Sequence, residues 1–414
     1  MSGRHSGVSA EAVHRHRLWA RLDQAVAGLP SPPATPVLVV DLDAFDHNAA
    51  DLVRRAGGKP IRLASKSVRV PALLRRALAV DGFSGVLGYT LREALWLEEQ
   101  GVSDDIVVAY PTVDRAALAQ LVASPTAAAR ITLMVDDVAH LDVVDSVRSS
   151  HAVPVRVALE VDAGLRLAGQ HVGPKRSPLH DAEQVVALAR AVQERPGFRL
   201  VGVMTYEGQV AGLPDSVPGQ RGRSAAVRGL KAASTGQLPQ RRRVVADALA
   251  GVLEAPLEFW NGGGTGSVET TVADPVVTEV AAGSGLLVPT LFDHYRSFTA
   301  TPAAFFGVPV ARRPSPDVVT VHGGGLVASG AAGPDRLPTP WAPPGLRLTT
   351  LEGAGEVQTP LTGPAASLLR IGDLVWFRHA KAGELFEHGS TVHLLAGEEL
   401  VDEVATYRGH GLAF

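Results

Sequence analysis

A single lysine, Lys66, stands in the stretch Arg62-Leu-Ala-Ser-Lys66-Ser-Val-Arg69, directly after a short apolar run, Ile61 to Ala64, that reads as a strand. A helix-like segment, Val70 to Leu78, follows it. A lysine where a strand ends is held firmly and points into whatever pocket the strand ends enclose. In a dry pocket its amine loses proton affinity and becomes a nucleophile for carbonyl carbon. Lysine is scarce here, five residues against 34 arginines, which narrows the choice of nucleophile. By itself the stretch also fits a surface lysine after a strand.

A second local signal is Asn261-Gly262-Gly263-Gly264-Thr265-Gly266-Ser267, again after an apolar run. Glycines and hydroxyls at a strand end let backbone N–H groups converge on an anion with no Cβ in the way. The small-residue turn Ala282-Gly283-Ser284-Gly285 could complete such a cradle. No Gly-Lys-Ser/Thr follows and the dinucleotide fingerprint lacks its context, so neither of those phosphate loops applies. A flexible glycine-rich loop is the plain alternative. A lysine and a phosphate cradle in one pocket point to pyridoxal 5'-phosphate, with Lys66 as the Schiff-base residue and the loop on the phosphate. Two other strand ends carry polar groups, Asp162-Ala-Gly-Leu-Arg166 and Thr205-Tyr206-Glu207-Gly208. Tyr206 could contact the pyridine ring or its nitrogen, or simply pack. Arg166 could hold the ring hydroxyl or a substrate carboxylate, or lie in solvent.

The elements that must position these residues follow a regular rhythm. Apolar, β-branched runs occur at Val37–Val40, Ile61–Ala64, Gly85–Gly88, Ile106–Ala109, Ile131–Val135, Val155–Val161, Leu200–Met204 and Leu257–Trp260. Helix-like segments lie between them, among them Ala44–Arg55, Thr90–Glu99, Asp114–Val122, Ala182–Val192 and Arg241–Leu253. Continuous apolar strands alternating with helices mean a parallel sheet covered on its outside. Eight units is the number that closes into a (β/α)8 TIM-like barrel, whose chemistry sits at the C-terminal strand ends. A doubly wound open sheet is the alternative, and it needs fewer strands. From Ser297 helical periodicity stops and short β-like runs (Val318–Val321, Leu346–Leu348, Leu374–Phe377, Thr391–Leu395) alternate with Pro- and Gly-rich turns. The expected organisation is an N-terminal helical extension over residues 1–34, with a helix from Ala10 to Ala27, a barrel over 35–296 and a C-terminal β domain over 297–414. The Pro-rich segment Pro334 to Gly345 reads as an irregular loop.

Composition excludes several classes. The chain has 414 residues, 46% of them hydrophobic, a net charge of −3 and no cysteine. Two domains are expected at this length. Nothing favours nucleic acid or an anionic membrane. Disulfides, thiolate nucleophiles and cysteine zinc sites are absent. No apolar run is long enough to span a bilayer, and the first residues lack the apolar core of a secretory signal, so a cytoplasmic location is the default expectation.

The motifs together resemble those of fold-type III pyridoxal-phosphate enzymes, the alanine racemase-like barrel with a β domain. Thr35-Pro-Val-Leu-Val-Val-Asp-Leu-Asp-Ala44 with His47-Asn48 is similar to that family's first strand and helix. Lys66 matches its Schiff-base lysine, Tyr206 its ring-nitrogen tyrosine, and Gly262 to Ser267 its phosphate loop. Arg378-His379-Ala-Lys381-Ala-Gly383-Glu384 and the ending Tyr407 to Phe414 resemble the D-threonine aldolase and D-serine dehydratase branch, in its amino acid deaminase/aldolase subgroup. The resemblance covers about residues 35–414. It implies a homodimer acting on a small amino acid, with the site between one barrel and the partner's β domain. In that branch a His-x-Asp or His-x-Cys pair binds a divalent metal near the substrate's β-hydroxyl. Here His379 matches the histidine, but Lys381 stands at the second position, and an ammonium cannot ligate a metal. One expectation is that Lys381 supplies the positive charge and His379 handles the hydroxyl proton. The other is that Lys381 points to solvent and His379 is structural or binds metal with Glu384 or His388.

The reaction the resemblance implies is cleavage of a β-hydroxy-α-amino acid of D configuration into glycine and an aldehyde. Dehydration with deamination, as in a D-serine dehydratase, is the alternative lyase outcome. Racemisation would need a second base, for which Tyr295 is a candidate that also reads as a packing tyrosine. A non-catalytic pyridoxal-phosphate protein and a phosphate-ligand barrel without that cofactor complete the alternatives.

Overall fold

The computed structural model describes residues 9–148, 153–167 and 169–414. The chain divides into two compact units. One comprises residues 49–285 and 294–300 with Phe414. The other comprises the chain up to Asn48, residues 286–293 and residues 301–413.

The first unit is a closed barrel of eight parallel strands. In barrel order they are Ile61–Ala64, Phe83–Gly88, Ile106–Val108, Ile131–Val135, Val155–Glu160, Phe198–Thr205, Phe259–Gly262 and Glu279–Ala282, the last pairing back onto the first. Ile131–Val135 is buried at every position, as a strand enclosed on both faces must be. Val107, Met134, Ala158, Val201, Met204 and Phe259 pack together in one buried cluster. Gly202 makes room for it: a Cβ there would stand 2.3 Å from the Phe259 ring.

Eight strands and a closed barrel agree with the sequence expectation, but the membership differs. Val37–Asp41 is not a barrel strand. It pairs antiparallel with Ala304–Ser315 and parallel with Thr391–Ala396 in the other unit. The barrel is completed by Glu279–Ala282 instead. Apolar periodicity cannot say which sheet a buried strand joins. Glu279 also disguised its strand, because its carboxylate is buried against Arg62 and Asn261 rather than exposed in a loop. A second difference is the helix Arg221–Ala250, expected only from Arg241. Its glycines and Pro239 argue against helix locally, yet Leu238, Arg242, Val245 and Leu249 are buried along it and tertiary packing prevails.

The second unit is built on a nine-stranded sheet. Its main path runs Arg347–Leu348, Gln358–Thr362, Val318–His322, Ala304–Ser315, Val37–Asp41, Thr391–Ala396, Glu399–Ala405. Leu374–Arg378 pairs with Ala304–Ser315 and carries Thr339–Ala342 on its other side. The segment expected as an irregular loop therefore contains a strand, and Pro340 is tolerated because that strand pairs on one side only. The helix Ala10–Ala27 lays Leu18, Leu22 and Ala25 on Val37, Val39, Phe305, Trp376 and Leu395. Trp376 Nε1 donates to Asp23 Oδ1 at 2.7 Å, giving the indole N–H a partner inside that contact. Among the described residues no helix is long and apolar enough to cross a membrane.

Candidate active site

Lys66, Tyr110, Glu160 and Tyr206 sit at or just past the C-terminal ends of barrel strands. After Ile61–Ala64 the chain makes a single 3-10 turn, Ser65–Ser67, that presents Lys66. Its Nζ donates to the Tyr110 hydroxyl at 3.0 Å. Arg69, at φ 54, folds back so that its Nε donates to the Lys66 carbonyl at 3.0 Å. Tyr110 lies two residues past Ile106–Val108, and the Arg176 guanidinium stands 5.2 Å from its ring centre and 4.9 Å from that of Tyr206. Burial works to raise the Tyr110 phenol, but the Lys66 ammonium and Arg176 outweigh it and the phenol lies below its ordinary value. Burial pushes the Tyr206 phenol up. Glu160, the last residue of its strand, sits 3.9 Å from Arg176. Burial raises its carboxyl to about 7, with Arg176 opposing and Asp136 and Asp162 adding to the rise.

The glycine-rich loop is braced from several sides. The buried Glu207 carboxylate accepts the Gly263 N–H at 3.1 Å, the Ser267 hydroxyl at 3.2 Å and the Thr271 hydroxyl, and is paired with Arg242 at 3.0 Å. Arg55 Nη2 donates to the Thr265 carbonyl at 2.6 Å. The Gly285 N–H donates to Thr265 Oγ1 at 3.0 Å, tying the loop to the turn after Glu279–Ala282. The Ser284 and Ser67 hydroxyls meet at 2.9 Å, which ties that turn to the Lys66 turn. Lys66, Gly262 to Ser267, Gly283 and Ser284 are thus joined through hydrogen bonds and chain continuity.

The residues present fit a phosphate-bearing pyridoxal group. A Cβ on Gly266 would stand 2.3 Å from the Ala211 carbonyl oxygen, and one on Gly283 2.6 Å from that of Ala64, so only glycine allows this approach of backbone to backbone. The N–H groups of Thr265 and Gly266 make no hydrogen bond among the described residues. Gly263 and Ser267, by contrast, spend the donors expected for an anion on Glu207, and they brace the cradle from beneath. Arg166 is exposed on the ribbon formed by Leu165–Leu167 and Gln170–Val172, and the guanidinium over the tyrosines belongs to Arg176. Sequence reasoning missed Tyr110, Glu160, Arg176 and Glu207. Three of them lie at or just past a strand end, which was a readable signal. Arg176 lies in a loop and had none.

Tyr295, the candidate second base, is buried and its hydroxyl donates to the Ala211 carbonyl at 2.9 Å. Burial drives its phenol far above the ordinary value, so it holds its proton.

His379 and Lys381 lie in the sheet unit, just past Leu374–Arg378. His379 is buried, its Nε2 bonds the Ala382 carbonyl at 2.6 Å, and its Nδ1 has no partner. Burial lowers its pKa to about 4, so the ring is neutral. Lys381 Nζ donates to Ser329 Oγ at 2.8 Å and to the Ser329 carbonyl at 3.1 Å. Both residues line a small pocket with Leu326, Val327, Leu385 and His388.

Comparisons with known proteins agree with this architecture. A D-threonine aldolase from an Arthrobacter species is 28% identical over 330 residues, 77% of this chain and 78% of that protein. The solved D-threonine aldolase of Filomicrobium marinum superposes with a TM-score of 0.77 at 21% identity, covering 92% of this chain and 96% of the other. A cysteine-to-alanine variant of D-threo-3-hydroxyaspartate dehydratase, solved in a metal-free form, gives a TM-score of 0.69 at 21% identity over 90% of this chain and 97% of that one. The family model for the alanine racemase N-terminal domain matches residues 40–259, more than half of the chain, and with the strand-end lysine and the closed barrel it places this protein in that family.

Proposed function

We propose that this protein is a pyridoxal-phosphate-dependent lyase that cleaves a β-hydroxy-α-amino acid of D configuration into glycine and an aldehyde. The cofactor is the one expected for the family. The observation that carries the reading is the Lys66 amine, 3.0 Å from the Tyr110 hydroxyl, on a turn bonded to an anion cradle that no Cβ could enter. The aldolase relative supports the reaction.

In this reading Lys66 would hold the cofactor's aldehyde carbon, and the N–H groups of Thr265 and Gly266 with the Gly283-Ser284 turn would hold its phosphate. When bound, the cofactor supplies an electron sink for the bond that breaks at Cα. Tyr110 fixes the direction of the Lys66 amine and, with its lowered pKa, can take a proton from it. Tyr206 and Arg176 form one polar wall. The net change moves the hydroxyl proton to Cα as Cα–Cβ breaks and C=O forms. The held phenol of Tyr295 gives racemisation no second base in this barrel. Dehydration stays the competing lyase outcome, supported by the dehydratase neighbour. The resemblance implies a homodimer, which light scattering checks.

The test is spectroscopic and then chemical. The loaded protein should absorb near the edge of the visible and lose that band on borohydride reduction, and Lys66→Ala should show neither. Incubation with D- and L-threonine, serine and 3-hydroxyaspartate, assayed for glycine, 2-keto acid and inverted isomer, should give glycine from a D substrate. Keto acid without glycine would replace the aldolase reading with the dehydratase one.

A further inference from the structure

Thr265 and Gly266 carry the two N–H groups of the cradle that make no hydrogen bond among the described residues. Each of these residues is propped by one short segment of the barrel unit, residues 294–298. Gly266 lies directly on Tyr295: a Cβ at that position would stand 2.4 Å from Tyr295 Cε1 and 2.3 Å from the Ala211 carbonyl oxygen. The Tyr295 hydroxyl donates to that same oxygen at 2.9 Å, so ring and carbonyl form one floor under the glycine. Thr265 is reached through a second aromatic. The Phe298 ring centre lies 5.3 Å from that of Tyr295. The Arg55 guanidinium stands 4.0 Å from the Phe298 ring centre, and its Nη2 donates to the Thr265 carbonyl at 2.6 Å.

The segment is itself held by Asp215, which follows the short helix Gly208–Ala211 and is buried. The N–H groups of Asp215 and Ser216 both donate to the His294 carbonyl, at 3.0 and 2.9 Å. Asp215 Oδ1 accepts the Arg296 N–H at 2.9 Å. Oδ2 is paired with Lys231 Nζ at 3.1 Å. Lys231 comes from the long helix Arg221–Ala250, and its ammonium stands 4.5 Å from the centre of the Tyr295 ring. One cation thus neutralises a buried carboxylate and rests on the aromatic face that carries Gly266. Burial pulls the ammonium below its ordinary pKa, and the bond to Asp215 opposes it.

We propose that residues 294–298 are a clip that fixes the Thr265 and Gly266 N–H groups at the spacing a phosphoryl group needs, and that Asp215 and Lys231 are the positioning residues that keep the clip closed. Donors fixed before the anion arrives bind it more tightly, because their ordering costs nothing at binding. This rests on the pyridoxal-phosphate reading and deepens it: the clip gives the barrel its preference for the phosphorylated aldehyde over pyridoxal.

The experiment titrates the apoprotein with pyridoxal phosphate and, separately, with pyridoxal, which has the same aldehyde and no phosphate, and reads the visible band. Wild type should prefer the phosphorylated aldehyde. Lys231→Met should bind pyridoxal phosphate about tenfold more weakly and pyridoxal less than about twofold more weakly. Lys231→Arg keeps a cation over the ring and should restore most of the preference. Asp215→Asn keeps an acceptor for the Arg296 N–H but loses the ion pair, and should fall between. Should Lys231→Met fail to fold, Phe298→Leu cuts the arm that leads to Thr265, and the same separation of the two aldehydes is expected. A residue needed only for folding would weaken both aldehydes alike. Equal weakening of both, or a wild-type ratio in Lys231→Met or Phe298→Leu, would overturn the inference. Calorimetry with inorganic phosphate on the same apoproteins tests the clip with no aldehyde present. Lys231→Met should again lose about tenfold, and phosphate affinity that is absent from the wild type or unchanged in the variant would also overturn it. A wild type that binds phosphate through the clip yet shows no Lys66-dependent band with either aldehyde would instead sink the cofactor reading.

Discussion

At the residue scale the site turns on how Lys66, Tyr110, Arg176 and Glu160 share charge. Arg176 helps to hold the Tyr110 phenol below its ordinary value, so Arg176→Gln should raise the Tyr110 titration, read by ultraviolet difference absorbance. Glu160 is the reverse case. Its folded pKa of about 7 lies above its unfolded value, so the folded state binds the extra proton. Its contribution is fully present below about pH 4.5 and is lost as pH rises through about 7. Glu160→Gln should therefore melt progressively higher than wild type from pH 5 to pH 8, by up to about 3 kcal/mol. A constant difference across that range would mean Glu160 is not the titrating group. Lys66 was legible because a strand-end lysine has a small set of uses. Glu207, adjacent to Tyr206, was in view but unassigned, because only the fold shows that its carboxylate takes the Gly263 N–H and Ser267 hydroxyl.

At the element scale the cradle is a matter of backbone approach. Gly283→Ala would bring a Cβ to 2.6 Å from a carbonyl oxygen that no rotamer can move. It should weaken cofactor binding by about tenfold or more, equivalent to about 1.4 kcal/mol, measured by titration of the visible band. Gly222→Ala, with open space around it in the long helix, should leave binding unchanged. In the sheet unit Leu22 is fully buried under the N-terminal helix. Leu22→Ala should cost about 2–5 kcal/mol in denaturant unfolding. That helix was legible end to end, since its apolar positions recur at helical spacing. Val37–Asp41 was legible as a strand but not as a member of its sheet, because its partners come from residues 304–315 and 391–396 and no local pattern encodes a pairing at that distance.

At the scale of the whole molecule, cofactor loading is linked to folding. A ligand that binds only the native state stabilises it by RT ln(1 + [L]/Kd), about 2.7 kcal/mol at a hundredfold excess over Kd. Pyridoxal phosphate should raise the melting temperature of the wild type clearly, and of Lys66→Ala less. Equal rises would place the binding away from Lys66.

The barrel closes where its first strand, Ile61–Ala64, meets its last, Glu279–Ala282. The Lys66 turn leaves one side of that seam and the Gly283-Ser284 turn leaves the other, joined by a contact of two serine hydroxyls. A cofactor held by Lys66 and by the phosphate turn would straddle the seam as a clasp. These strands are more than two hundred residues apart, so their pairing bears the largest loop-closure entropy in the barrel and is a natural place for it to open first. Amide hydrogen exchange should then show protection gained on loading concentrated in Ile61–Ala64 and Glu279–Ala282, with strands on the far wall, such as Ile131–Val135, changed little.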